Sequence, residues 1–128
     1  MSAVSAEPAT AVVLEWLARE RDILGSDWLM TEAAAALAQK RRMQILSAQE
    51  HARALSALRD QIAPYSSLPV TRQDFRLAAD FAGRPEAGLR AGDALHLAIA
   101  AAAGATLATL DKRQAEAGAA LGVSTLLL

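Results

Sequence analysis

Residues 92–111 read GDALHLAIAAAAGATLATLD, and this stretch decides the fold class. Asp93 opens a run in which His96 is the only strongly polar residue before Gly104, the pattern of a buried helix stopped by a glycine. Residues 106–110 then read as a short strand. Asp111 and Gln114 stand at capping-box spacing in front of a last helix that runs to Gly122, and residues 123–128 supply a closing apolar strand. Strands alternating with helices point to an α/β domain built on a parallel sheet. The uncharged segment 94–110 falls short of the roughly 20 residues that a membrane-spanning helix needs, and His96, Gly104, Thr106 and Thr109 interrupt its apolarity. No membrane association is expected.

Upstream the same alternation holds. Pro8 suits a first helical turn, and Ala9, Val12, Val13, Trp16 and Leu17 repeat at helical spacing, which predicts a helix ending near Glu20. After Ile23 and Leu24 comes the turn-prone Gly25-Ser26-Asp27. A second helix then runs from Trp28 to Lys40, Arg41 and Arg42, with Glu32 near its opening and the cations at its dipole-favoured end. Ser47 and Glu50 mark a capping box ahead of Ala48, Ala52, Leu55, Leu58 and Ile62, and Pro64 ends that helix. Thr71 and Asp74 repeat the signal before a small helix whose apolar stripe is Phe75, Ala78, Ala79 and Ala82. Residues 84–92, rich in Gly and Pro, lead back to Asp93.

The 128 residues carry 13 Lys plus Arg and 14 Asp plus Glu, a formal net charge of −1, which argues against a generic polyanion-binding surface. Such a length is one domain of ordinary size, 53% hydrophobic and able to bury a core, so residues 1–128 are read as a single domain. The absence of cysteine excludes disulfides, thiolate zinc sites and a thiol nucleophile. With no basic residue before Arg19, the start lacks the positive region of a secretory signal, and a cytoplasmic location is expected. No Gly-x-Ser-x-Gly elbow, phosphate-binding loop or dinucleotide fingerprint is present, which removes serine hydrolases and nucleotide-binding α/β folds as rivals.

In open parallel sheets ligands gather beyond the carboxyl ends of the strands, where helices start. Glu32, Asp93 and Asp111 hold such positions, so the three are expected to converge in one pocket. Each also has a plainer explanation as a helix-opening acid stabilised by the dipole.

The wording around these acids resembles the PIN-domain family, specifically the VapC-like toxin ribonucleases of bacterial toxin–antitoxin pairs. Thr31-Glu32-Ala33 with Ala36-Leu37-Ala38, then Leu89 to Ala98 with its DALHLA phrase, then Leu107 to Arg113 and Ala119 to Val123, are similar in order and wording to the segments of that family. Residues 47–88 match only in helix pattern. The resemblance implies a three-layer α/β/α fold and a metal-dependent endoribonuclease acting on RNA. Glu32, Asp93 and Asp111 would be its catalytic, metal-coordinating acids, with Asp93 bound directly and Glu32 either touching the ion or orienting one of its waters. Mg²⁺ or Mn²⁺ is the implied cofactor, since such ions prefer hard oxygen ligands and activate water against a phosphodiester. A cognate antitoxin protein and homodimerisation through the Ala-rich N-terminal helices are the implied partners, the antitoxin lying in a groove lined by Val13, Trp16 and Leu17.

The family opens with a central hydrophobic strand ending in an Asp, and no segment here corresponds to it. The expectation is a true start upstream of Met1, and an in-frame reading of the preceding codons tests it. The rival reading is a PIN-like module without catalysis, retained for binding or dimerisation. Of the remaining polar residues, His96 is read as a core or interface histidine and His51 as surface. Lys40, Arg41 and Arg42 are read as helix-terminal cations, while Lys112 and Arg113 are expected beside the pocket, where phosphate would arrive.

Overall fold

The computed structural model describes residues 8–20 and 23–128. The chain divides into two compact units, one ending at Pro69 and the other formed by Val70–Leu128. The expectation of a strand lost from the start of the chain falls on residues 1–7, which lie outside the described residues.

The first unit holds α1 (Pro8–Arg19), β1 (Leu24–Ser26), α2 (Asp27–Arg42), α3 (Ala48–Ile62) and β2 (Ser66–Leu68). Gly25 and Ser26, expected in a turn, are instead in a strand. Residues 24–26 pair in parallel with 66–68, Leu24 opposite Ser66 and Ser26 opposite Leu68, so a long-range ladder overrides the local turn preference of Gly and Ser. Ser26 then becomes the N-cap of α2, its hydroxyl accepting from the Leu29 amide at 3.3 Å. That cap moves the start of α2 to Asp27, so Glu32 stands in the second turn and not at the opening. The α2–α3 pair closes over Ala33, Leu37 and Leu58, with Met30, Leu46, Ala54, Leu55 and Ile62 packed around them. The Ser47–Glu50 capping box forms as expected, with reciprocal bonds of 2.9 and 3.1 Å. Val13, Trp16 and Leu17 on α1 are half-buried.

The second unit holds α4 (Arg72–Ala82), a single 3₁₀ turn (Pro85–Ala87), α5 (Ala91–Ala103), β3 (Leu107–Thr109), α6 (Lys112–Ala120) and β4 (Thr125–Leu127). The buried face of α4 is Asp74, Ala78 and Phe81, one position away from the expected stripe, and Phe75 is left 55% exposed. Asp74 bonds back to the Thr71 amide at 2.9 Å, so its carboxylate is satisfied as it turns inward. Helix α5 is buried nearly all round through Ala94, Leu95, Leu97, Ala98, Ile99 and Ala100. Gly104 ends it at φ +64°, in the left-handed region that favours glycine. Strands β3 and β4 pair in parallel, Leu107 opposite Thr125, with α6 as the crossover between them.

The α/β class with parallel strand pairing therefore holds, as one short parallel pair in each unit. Strand β1 leads directly into α2, and β3 into α6 through Leu110 and Asp111, which places the N-termini of these helices and their amide groups beyond the strand ends. Segment 94–110 resolves into α5, a glycine stop and β3. No helix among the described residues is long and apolar enough to cross a membrane.

Candidate functional site

Two of the three acids singled out in the sequence line one cavity of about 260 Å³ in the second unit. Asp93 comes from the first turn of α5 and Asp111 from the N-cap of α6. Gly88, Leu89 and Arg90 form the wall that precedes α5, and Arg113 and Gln114 complete the α6 side. Glu32 belongs to the first unit, half-buried in the second turn of α2. Among the described residues no group of three or more His, Asp or Glu side chains is placed to hold a metal ion.

Each wall follows from its local sequence. Asp111 follows β3, and its Oδ1 accepts from the amides of Arg113 at 2.9 Å and Gln114 at 3.3 Å, as a capping aspartate should. These bonds use a single carboxylate oxygen. Gly88 adopts φ +62°, which lets the chain turn from the 3₁₀ turn into α5. Its carbonyl accepts from Nη2 of Arg113 at 3.2 Å, tying the guanidinium across the cavity rim. Lys112, expected beside the pocket with Arg113, points along α6 toward Glu116 at 3.8 Å and is exposed.

Gln114 does something its spacing did not suggest. In a capping box it would reach back to the Asp111 amide. Thr109 takes that amide instead, accepting at 3.0 Å through Oγ1. The Gln114 side chain turns inward, where Oε1 accepts from the Thr109 hydroxyl at 2.7 Å and Nε2 donates to the Asp93 carbonyl at 3.4 Å. The sequence signal that could have flagged this is a hydroxyl residue two positions before the capping acid, able to compete for its amide.

Chemically the cavity offers two carboxylates and two guanidinium groups on a polar lining. Mg²⁺ keeps several waters and is commonly held through one or two carboxylates, so the donor set fits a hydrated hard cation. The planar forks of Arg90 and Arg113 suit a phosphate. A family model described as PIN domain matches residues 1–120 of the chain, and no curated protein matches it.

Proposed function

Because the chain belongs to the PIN domain family, whose members are in general nucleases, we propose that it is a Mg²⁺- or Mn²⁺-dependent endoribonuclease of the VapC-like toxin type. The observation that carries this reading is the shared cavity of Asp93 and Asp111, rimmed by Arg90 and Arg113. Asp93 and Asp111 would hold the cation, which when bound supplies Lewis acidity toward a phosphodiester. Asp111 keeps one oxygen on the amides that open α6, so its carboxylate is oriented before any ion arrives. Arg113, tethered to the Gly88 carbonyl, meets the phosphate with a guanidinium whose freedom is already reduced. Glu32 enters as a third acid on its sequence segment alone. The RNA substrate, a cognate antitoxin and a homodimer belong to the same proposal, with half-buried Val13, Trp16 and Leu17 of α1 as the antitoxin-facing groove.

A second reading is a PIN domain that binds without cleaving, favoured by the lack of a three-acid group among the described residues. Incubation of end-labelled RNA with the purified chain in Mn²⁺ or Mg²⁺, with and without EDTA, separates the two. The nuclease reading expects cleavage that EDTA stops and that Asp93→Asn abolishes without altering the circular dichroism spectrum. RNA retention without cleavage would establish the binding module. Light scattering tests the dimer, and a monodisperse monomer at high concentration would remove it.

A further inference from the structure

We propose that Gln114 is a positioning residue that locks the Asp93-bearing start of α5 to the Asp111-bearing start of α6. The inference rests on the reading of Asp93 and Asp111 as cation ligands. Its basis is a chain of hydrogen bonds whose direction is forced at every link. The Asp111 backbone N–H can only donate, so the Thr109 oxygen accepts there at 3.0 Å. At the other end the Asp93 carbonyl can only accept, which turns Gln114 Nε2 toward it and Oε1 toward Thr109, so the Thr109 hydroxyl hydrogen goes to Oε1 at 2.7 Å. The Gln114 amide donates from Nε2 to that carbonyl at 3.4 Å. The backbone of one acid is thus joined to the backbone of the other through one threonine and one glutamine, although the acids are 18 residues apart.

Two further observations distinguish this link from an ordinary satisfied polar group. Gln114 is only 7% exposed, and an amide so buried is costly unless both ends are bonded. Gln114 also lines the cavity itself, beside both carboxylates. Helix α6 does not need its side chain as a cap, because Asp111 and Thr109 already satisfy the groups that a cap would serve. What the side chain adds is the connection between α5 and α6. Removing the outer partners of metal ligands typically weakens binding by 10–100-fold; Gln114 and Thr109 act one step further back, on the backbones that carry the two carboxylates, so the lower end of that range is expected.

The test titrates Mn²⁺ alone into the metal-free full chain, following free Mn²⁺ by its electron paramagnetic resonance signal and recording the melting temperature in parallel. Gln114→Met keeps the length and loses the amide, while Thr109→Val keeps the shape and loses the hydroxyl. Each should weaken Mn²⁺ binding about tenfold or more, and the double variant should be little worse than either single one, because both cut the same relay. Thr109→Ser, which restores the hydroxyl, should recover the affinity. A lowered melting temperature with Mn²⁺ affinity within about twofold of the parent in Gln114→Met would reduce Gln114 to a core residue and overturn the proposal. Should Gln114→Met fail to fold, the Thr109→Val and Thr109→Ser pair decides, and equal affinities overturn it. A parent chain that takes up no Mn²⁺, or takes up as much after Asp93→Asn, overturns the metal-site reading itself and this inference with it.

Discussion

Asp111 caps α6 and, on the proposed reading, would also hold the cation, and the two jobs can be separated by a single atom's change. One oxygen caps α6 by accepting from the Arg113 and Gln114 amides. Asparagine caps about as well as aspartate but carries no charge, whereas alanine does neither. Asp111→Asn should therefore keep urea stability within about 0.5 kcal/mol, and Asp111→Ala should lose about 1 kcal/mol. Both should lose cation-dependent RNA cleavage. An Asp111→Asn protein that unfolds as easily as the alanine variant would show that charge, not capping, is what α6 requires. At this scale the sequence was partly legible. Asp93 and Asp111 announce themselves by standing where helices begin, and the structure puts both on one cavity. Arg113, expected beside the pocket, lines it as well, but its bond to the Gly88 carbonyl is not legible, because the two meet across 25 residues of chain and no local pattern encodes that contact. Gln114 was hidden behind its own spacing, since a residue three after a capping acid reads as part of the cap.

Among the elements, α3 is the one whose stability should follow pH most simply. Its capping box holds the Glu50 carboxylate on the Ser47 amide at 2.9 Å, and that backbone bond, followed by the Ser47 hydroxyl, lowers the Glu50 pKa from its ordinary 4.5. A carboxylate with a lowered folded pKa contributes stability above its unfolded value, and the contribution is lost as pH falls through the folded one. Glutamine completes the same box without titrating. Urea midpoints at about pH 7 and about pH 3 should therefore differ less for Glu50→Gln than for the parent, and equal differences would exclude Glu50 from the acid response. Helix α6 yields a second prediction. A Cβ at Gly118 would stand 2.6 Å from both Leu97 Cδ2 and Thr125 Cγ2, and Leu97 is fully buried on α5, so a new methyl group must displace packed side chains. Overpacking of about 1–3 kcal/mol outweighs the roughly 1 kcal/mol by which alanine favours a helix, so Gly118→Ala should lower the urea midpoint. An unchanged midpoint would mean that α6 shifts outward at little cost. The helices were legible because caps and periodicity are local: Ser47 with Glu50, Thr71 with Asp74 and Gly104 all act where they were read. Strand β1 and the buried face of α4 were not. Gly25 and Ser26 are held by partners some forty residues away, and the facing of α4 is set by its packing against α5.

For the whole molecule, charge decides how RNA would be met. A net charge of −1 gives no long-range attraction for a polyanion, so association must rest on the few cations near the cavity. Arg90 and Arg113 are the two that line it. Each phosphate neutralised on a single strand releases counterions and contributes about −0.7 to the slope of log K against log salt, so two contacts predict a slope of about −1.4. A wider basic surface that recruited Lys40, Arg41 and Arg42 at the end of α2 would add three more contacts and steepen the slope to about −3.5. The two cases are far enough apart to be told by fluorescence anisotropy with a short, uncleavable oligonucleotide between low and moderate salt. Arg113→Ala carries the argument to a single residue: it should weaken binding and flatten the slope by about 0.7, because one phosphate contact disappears. The triple change Lys40→Ala, Arg41→Ala, Arg42→Ala should leave the slope where it was. If the triple change flattens the slope and Arg113→Ala does not, RNA is held by the end of α2, and the cavity of Asp93 and Asp111 is not where its phosphates are received.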